Sequence, residues 1–448
     1  MSARPSAKVA RRRRPRRARA QAGPQTRSRA TRPRRKTRPR GSSAPSVAPR
    51  AATATDRVVV HRVATHREVA VHAERQAASK FVEDERDLDG AGLDDVAEVR
   101  RRCEAFRKIF ARLRAEVGRS LVGQREVVDL ALVTLFADGH LLLEGVPGLG
   151  KTLLVRALAA ATGLGFSRIQ FTPDVMPADI TGTSILMEDE ATGRREIRFR
   201  QGPLFAQLVL ADEVNRASPK TQSALLEAMQ ERSVTIGGET RSLGRPFFVM
   251  ATQNPIEQEG TFPLPEAQLD RFLLKIDVPP PDRETLREVL ERTTKTELVV
   301  PAQVLDARAI VAAQKLARRI PMAPEVQDWI VRLVLGTHPD GEFCAEENRR
   351  YIRIGASPRA AQAIASCARV VALMAGRYAV GFEDVRTVAR AALRHRIHRS
   401  FEAEAEGITP DEIARRVVRL TPTVAPEPAA AAKGAKSVPA ATRTGGAR

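Results

Sequence analysis

Residues 145–152 read Gly-Val-Pro-Gly-Leu-Gly-Lys-Thr, and those types at that spacing build a phosphate-binding loop. Gly145, Gly148 and Gly150 let backbone N–H groups turn inward and line a concave anion nest that a Cβ would crowd. Val146, Pro147 and Leu149 complete the loop, and Lys151 puts a point charge on the β- and γ-phosphates. The Thr152 hydroxyl is a ligand for Mg²⁺. A helix predicted from Leu153 to Ala161 aims its positive N-terminus at the same phosphates.

A second cluster lies 60 positions after Thr152, where Leu208-Val-Leu-Ala-Asp212-Glu213 ends an apolar run in two carboxylates. A buried strand that delivers Asp212 at its carboxyl end sets a negative charge beside the loop's metal. Glu213 is then positioned to orient and deprotonate an attacking water. Two further residues fit the same chemistry. Asn254, just past Phe247-Phe-Val-Met-Ala251, offers an amide to a γ-phosphate or a lytic water. Arg271, at the end of Leu264-Pro-Glu-Ala-Gln-Leu-Asp-Arg271-Phe272, either pairs structurally or faces another subunit, where it stabilises phosphoryl charge in trans. Arg216 competes for that interface role or pairs with Glu227.

The elements that must position these residues alternate. His140 to Glu144 is a short apolar strand, with His140 expected to serve packing and hydrogen bonding at its entrance. Phe166 to Phe171, Leu208 to Ala211 and Phe247 to Ala251 read as further strands, and Val127 to Phe136 and Thr221 to Gln230 as helices. Alternation of this kind implies a parallel sheet with covered faces. Residues 180–187 and 195–200 alternate apolar and polar side chains around Ala191-Thr-Gly193, a hairpin signature. Pro279-Pro-Pro281 marks a boundary, after which the pattern is helical from Glu284 to Val418. His395 and His398 fall on a predicted polar helix face there.

Charge is unevenly spread. Of a net +21, residues 1–50 carry 18 Arg or Lys and no acid, leaving about +3 over the remaining 398 residues. The basicity therefore belongs to a tail without apolar residues to bury, expected to be disordered and able to bind nucleic acid non-specifically. His61, His66 and His72 match no metal-ligand spacing. Cys103, Cys344 and Cys367 are too few and scattered for a disulfide framework, which fits a cytoplasmic chain, and no run suffices for a membrane span. One Trp and two Tyr weigh against base stacking on single strands. The expected organisation is a basic tail over 1–55 and a charged linker over 56–95. An α/β nucleotide-binding domain then spans 96–281, a helical domain 282–420 and a Pro/Ala-rich flexible tail 421–448.

Taken in order, Gly-Val-Pro-Gly-Leu-Gly-Lys-Thr, Leu-Ala-Asp-Glu-Val-Asn-Arg, Ala-Thr-Gln-Asn-Pro-Ile-Glu-Gln-Glu-Gly and Leu-Pro-Glu-Ala-Gln-Leu-Asp-Arg-Phe resemble the MoxR family of AAA+ ATPases. Gly355-Ala-Ser-Pro-Arg359 and Leu393-Arg-His-Arg-Ile397 match as well, and the resemblance covers roughly residues 100–400. It implies an α/β P-loop domain followed by a small all-α lid, ATP and Mg²⁺ as cofactors, and assembly as a homo-oligomeric ring, usually a hexamer. By that resemblance Lys151 and Thr152 are Walker A, and Asp212 and Glu213 are Walker B. Asn254 is sensor 1, Arg271 the arginine finger and Arg359 the lid's sensor 2. The 180–200 hairpin becomes the helix-2 insert and residues 234–243 the pre-sensor hairpin. The implied activity is an ATP-hydrolysing chaperone that activates client proteins, some with von Willebrand A domains. Two other readings stand beside it: a DNA-associated remodeller using residues 1–50, and a non-hydrolysing nucleotide-gated scaffold. The Arg-rich start and Pro/Ala-rich end lie outside the family pattern.

Overall fold

Residue alternation along five strands decides the architecture. The computed structural model describes residues 96–188, 195–255, 261–294 and 300–424. Its first nine strands are β1 (Leu141–Glu144), β2 (Phe166–Gln170), β3 (Gly182–Glu188), β4 (Arg195–Gln201), β5 (Leu208–Asp212), β6 (Ser233–Ile236), β7 (Glu239–Ser242), β8 (Phe248–Gln253) and β9 (Leu274–Asp277). Five of them form one parallel sheet in the order β2-β5-β8-β1-β9. Successive side chains point to opposite faces. Leu141, Leu143, Leu208, Leu210, Phe248 and Met250 accordingly enter one core, and Leu142, Val209, Ala211, Val249 and Ala251 enter another. Both faces are apolar because both are covered, as a parallel sheet requires.

The first core is closed by the helices Val96–Ser120, Arg125–Phe136 and Lys151–Thr162, the second by Pro219–Glu231. Phe106 meets Phe136 edge-on at 5.1 Å and Phe110 at 5.9 Å, an aromatic knot worth about 0.5–1.5 kcal/mol per pair beyond its buried area. Helix starts are written locally. Ser218-Pro219, Ser357-Pro358 and Thr409-Pro410 each put a capping hydroxyl before a proline whose missing N–H costs nothing at the first helical position. The lid helices Pro324–Leu335, Pro358–Met374, Phe382–Leu393 and Pro410–Leu420 pack around Trp329 and Ile364. A two-stranded antiparallel ladder, β10 (Ile352–Ile354) with β11 (His398–Arg399), closes the lid's edge.

Several expectations are corrected. β9 escaped the sequence reading, because Leu274-Lys-Ile-Asp277 is a short edge strand with only alternate residues buried. Ile180 and Thr181 belong to a short helix, Pro177–Thr181, so the hairpin begins at Gly182. A Cβ on Gly182 would stand 2.4 Å from the Arg200 carbonyl, and its φ of 97° already demands glycine, so this residue fixes the hairpin's base. His395 is not on a polar face. The helix ends at Leu393, and buried His395 hydrogen-bonds the Phe272 carbonyl across 3.0 Å. The C-terminal tail also starts later than Thr421, since Trp329 Nε1 donates to the Thr421 carbonyl at 3.1 Å and Arg332 to those of Pro422 and Thr423. Residues 1–95, with His61, His66 and His72, and residues 425–448 lie outside the described part.

His140 behaves as expected and carries a consequence. Its Nδ1 accepts the Val249 N–H at 3.1 Å, so Nε2 must carry the proton that it donates to the Met229 carbonyl at 3.0 Å. Burial pushes its pKa down to about 4, and burial also holds His395 well below the usual histidine range. The unfolded chain takes up a proton near pH 6.5 and the folded His140 only near 4. Its stabilising effect is therefore complete above 6.5 and lost as pH falls toward 4. Between about pH 7.5 and about pH 5, His140 alone removes roughly 2 kcal/mol of stability. Urea unfolding at the two pH values checks this, and an unchanged midpoint refutes it.

Candidate nucleotide site

The strand order creates the site. β8 runs between β1 and β5, so the loop after β1 and the carboxylates after β5 are two strand spacings apart, about 10 Å. Register then lines up one row across the sheet's carboxyl edge: Gln170 pairs with Asp212, and Leu143 with Thr252. Asn254 follows directly after β8 and is buried beside this row.

The loop has the shape an anion needs. Gly148 and Gly150 take φ of 85° and 80°, which turns their peptide N–H groups toward one side. The helix from Lys151 has no side-chain cap at Gly150, so the N–H groups of its first turn stay available to a ligand. Gln124 steadies the loop from outside, its amide donating to the Leu149 carbonyl at 2.8 Å. Lys151 folds over its own loop, donating to the carbonyls of Gly145 and Val146. Its half-buried ammonium has a lowered pKa, chiefly from burial, with Asp212, Glu213 and Glu144 opposing the shift. An uncapped helix N-terminus, two left-handed glycines and a lysine short of hydration are a donor set that fits a polyphosphate with its metal. Lys151 and the loop N–H groups would hold the phosphates, and Thr152 and Asp212 the Mg²⁺.

The acidic side is a hydrogen-bonded network. Asp212 Oδ1 accepts the Thr252 hydroxyl at 2.6 Å, and Oδ2 accepts two Arg168 N–H groups at 2.7 and 3.2 Å. Glu213 sits in the left-handed region at φ 58°, a strain of about 1–3 kcal/mol for a residue with a Cβ. That turn is secured where the Glu213 N–H donates to Thr252 Oγ1 at 2.8 Å. Its carboxylate accepts from Gln170 at 2.9 Å and from Arg216 at 3.1 Å. Arg216 thus pairs with Glu213 of its own site.

Arg271 and Arg359 lie elsewhere. Arg271 precedes β9, whose Leu274 is level with Leu141, the first residue of β1. It therefore stands at the amino edge of the sheet, the end opposite the phosphate loop. Arg359, the lid's sensor 2 by resemblance, stands there too, 3.8 Å from Asp270. Together with Asp138, Gln230, Gln362 and Arg396 these arginines line a cavity of about 310 Å³. Arg271 Nε is buried there without a hydrogen-bond partner.

Sequence reasoning missed Arg168, Gln170, Thr252 and Gln124. Thr252 was visible only as part of a run read for its asparagine. Arg168 and Gln170 are alternate residues on one exposed side of β2, a signal that means something only once β2 is known to flank β5. Thr252 joins both carboxylate-bearing residues, so Thr252→Val orphans a buried oxygen and an N–H. We expect a loss of about 1–3 kcal/mol in urea unfolding, and a smaller change than about 0.5 kcal/mol would remove Thr252 from this role.

Comparison with known proteins agrees with this geometry. Residues 140–274 match the model of the ATPase family associated with various cellular activities (AAA), and residues 344–417 match an AAA lid domain. The chain is 45% identical over 304 residues to Chaperone MoxR1 of Mycobacterium tuberculosis, covering 68% of this chain and 79% of that protein. It is 33% identical over 336 residues to Protein MoxR of Methylorubrum extorquens, covering 71% and 96%. A solved structure from Cytophaga hutchinsonii superposes with a TM-score of 0.68 at 39% identity, over 75% of this chain and all of the other. An α/β sheet with a phosphate loop, paired acids and a helical lid, at these identities over these lengths, has one reading: the chain belongs to the MoxR family of AAA+ ATPases.

Proposed function

We propose that this ATPase works as a ring, a hexamer by family resemblance, in which ATP turnover drives the remodelling or activation of a client protein. The observation that carries the reading is the split of the machinery between opposite sheet edges. Lys151, Asp212 and Glu213 occupy the carboxyl edge, and Arg271 and Arg359 the amino edge. One subunit cannot close both on a single nucleotide, whereas a head-to-tail ring can. Mg²⁺ and ATP, when bound, would supply an electrophilic γ-phosphorus and a cation that offsets phosphate charge, with Thr152 and Asp212 as the residues that would hold the metal.

The chain's own residues divide the remaining work. Lys151 and the loop N–H groups neutralise phosphate charge. Glu213 orients the attacking water and accepts its proton, and Asn254 offers a donor beside it. Arg271, with its free Nε, meets charge at the neighbouring subunit's site, and Arg359 accompanies it. Support for client contact comes from the β3–β4 hairpin. Leu186 and Ile197 are cross-strand partners, 64% and 75% exposed, an apolar pair that solvent alone does not favour. Support for a chaperone role comes from the relative named a chaperone, and clients with von Willebrand A domains follow the family resemblance. Among the described residues no helix is long and apolar enough to cross a membrane.

Full-length chain, Glu213→Gln and Arg271→Ala test the ring directly. Each variant alone should lose phosphate release by about 100-fold or more while still binding ATP. Mixed in equal amounts, the two should recover activity, because about a quarter of the sites then combine an intact Glu213 with a neighbour's intact Arg271. No recovery on mixing, with both variants binding ATP and assembling, would put Arg271 outside the neighbour's site.

A further inference from the structure

We infer that Arg168 is a latch on Asp212 that the site's divalent cation must displace, and that its release also loosens Glu213. The inference rests on the reading of Asp212 as the residue facing the metal. Asp212 has its two oxygens committed to different neighbours. Oδ1 receives the Thr252 hydroxyl at 2.6 Å, and Oδ2 receives Arg168 through Nη2 at 2.7 Å and Nε at 3.2 Å. Three of the carboxylate's roughly four acceptor sites are thus filled, and a divalent cation, or a water held by it, competes for the oxygen with a guanidinium whose like charge opposes it.

The two partners differ in what it costs them to leave. Thr252 is buried on β8 and also accepts the Glu213 N–H, so moving it orphans two groups. Arg168 is on the edge strand β2 with 43% of its side chain exposed, and water replaces its contacts cheaply. Arg168 is therefore the partner that yields. Its departure reaches further, because Arg168 Nη2 also donates to Gln170 Oε1 at 2.6 Å, and Gln170 Nε2 donates to Glu213 Oε2 at 2.9 Å. Losing the guanidinium frees the Gln170 amide that steadies Glu213. Metal capture at Asp212 and freedom of the water-activating carboxylate are thereby linked through two side chains of one strand.

The test is a binding measurement on the full chain, with a fluorescent non-hydrolysable ATP analogue titrated in excess Mn²⁺ and, separately, in EDTA. Arg168→Gln and Arg168→Met should each tighten binding in Mn²⁺ by about threefold or more and leave binding in EDTA no tighter, since only the metal-loaded complex had to open the latch. Either variant suffices if the other fails to fold. Binding in Mn²⁺ that is unchanged or weaker overturns the latch, as does equal tightening in both media. Asp212→Asn separates the two layers of the inference. If it abolishes the tightening that Mn²⁺ gives wild type, Asp212 faces the metal, and the Arg168 variants then decide the latch. If Mn²⁺ still tightens binding to Asp212→Asn as it does to wild type, the reading of Asp212 fails and the latch falls with it.

Discussion

Everything in the site depends on β8 lying between β1 and β5. Were β5 paired directly with β1, the loop and the carboxylates would be about 5 Å apart, too close for a phosphate and a hydrated cation between them. The intervening strand doubles that separation. It also delivers its own polar residues into the gap, with Thr252 joining Asp212 to the Glu213 backbone and Asn254 following at the edge. The same strand is wholly buried up to Thr252, because its side chains feed both cores. Packing and chemistry therefore share one element, and a change in β8 registers in stability and in the acids together.

A parallel sheet also has two chemically distinct ends, and this chain uses both. Loops and helix N-termini gather at the carboxyl edge, where orphan N–H groups favour anions. The amino edge instead collects Arg271, Arg359 and Arg396 around Asp270. Buried Arg396 binds Asp270 and the carbonyls of Asp270 and Phe272, which locks the lid chain just after helix Phe382–Leu393 onto the segment carrying Arg271. Burial lowers the Arg396 pKa and Asp270 opposes that shift, so the carboxylate offsets the cost of burying the guanidinium. Lid position and arginine position are consequently one variable. A lid that moves relative to the sheet carries Arg359 and perturbs Arg271 in the same motion.

Much of this was legible in the chain because the signals are local. The phosphate loop, the Asp212-Glu213 ending of an apolar strand and the lid helices with their Ser-Pro and Thr-Pro starts each sit within about a dozen residues. What stayed hidden is set by neighbours distant in sequence. β9 is four residues of ordinary appearance until β1 pairs with it. Arg216 had several acids within reach in sequence, and the left-handed turn at Glu213 selects the nearest. His395 looked like surface because helical periodicity was extended past Leu393, where the chain turns inward to meet Phe272. Arg359 was named the lid's sensor 2 by resemblance, and motif order says nothing about which end of a sheet a lid approaches.

The reactive groups of the site share one feature that spacing alone does not convey: each is satisfied within the chain. Lys151 rests on loop carbonyls, Asp212 on Arg168 and Thr252, and Glu213 on Gln170 and Arg216. Buried or half-buried charges without partners would cost several kcal/mol each, enough to unfold so acidic and basic a pocket. Partners that bind too well would keep the substrate out. The compromise is visible in where the partners sit. Arg168 and Gln170 are exposed to water and Arg216 is partly so, which weakens their pairs. Thr252, which holds the geometry, is buried and yields to nothing. Exposure thus separates the contacts that hold the site in shape from those that only keep its charges paired until a phosphate or a metal arrives.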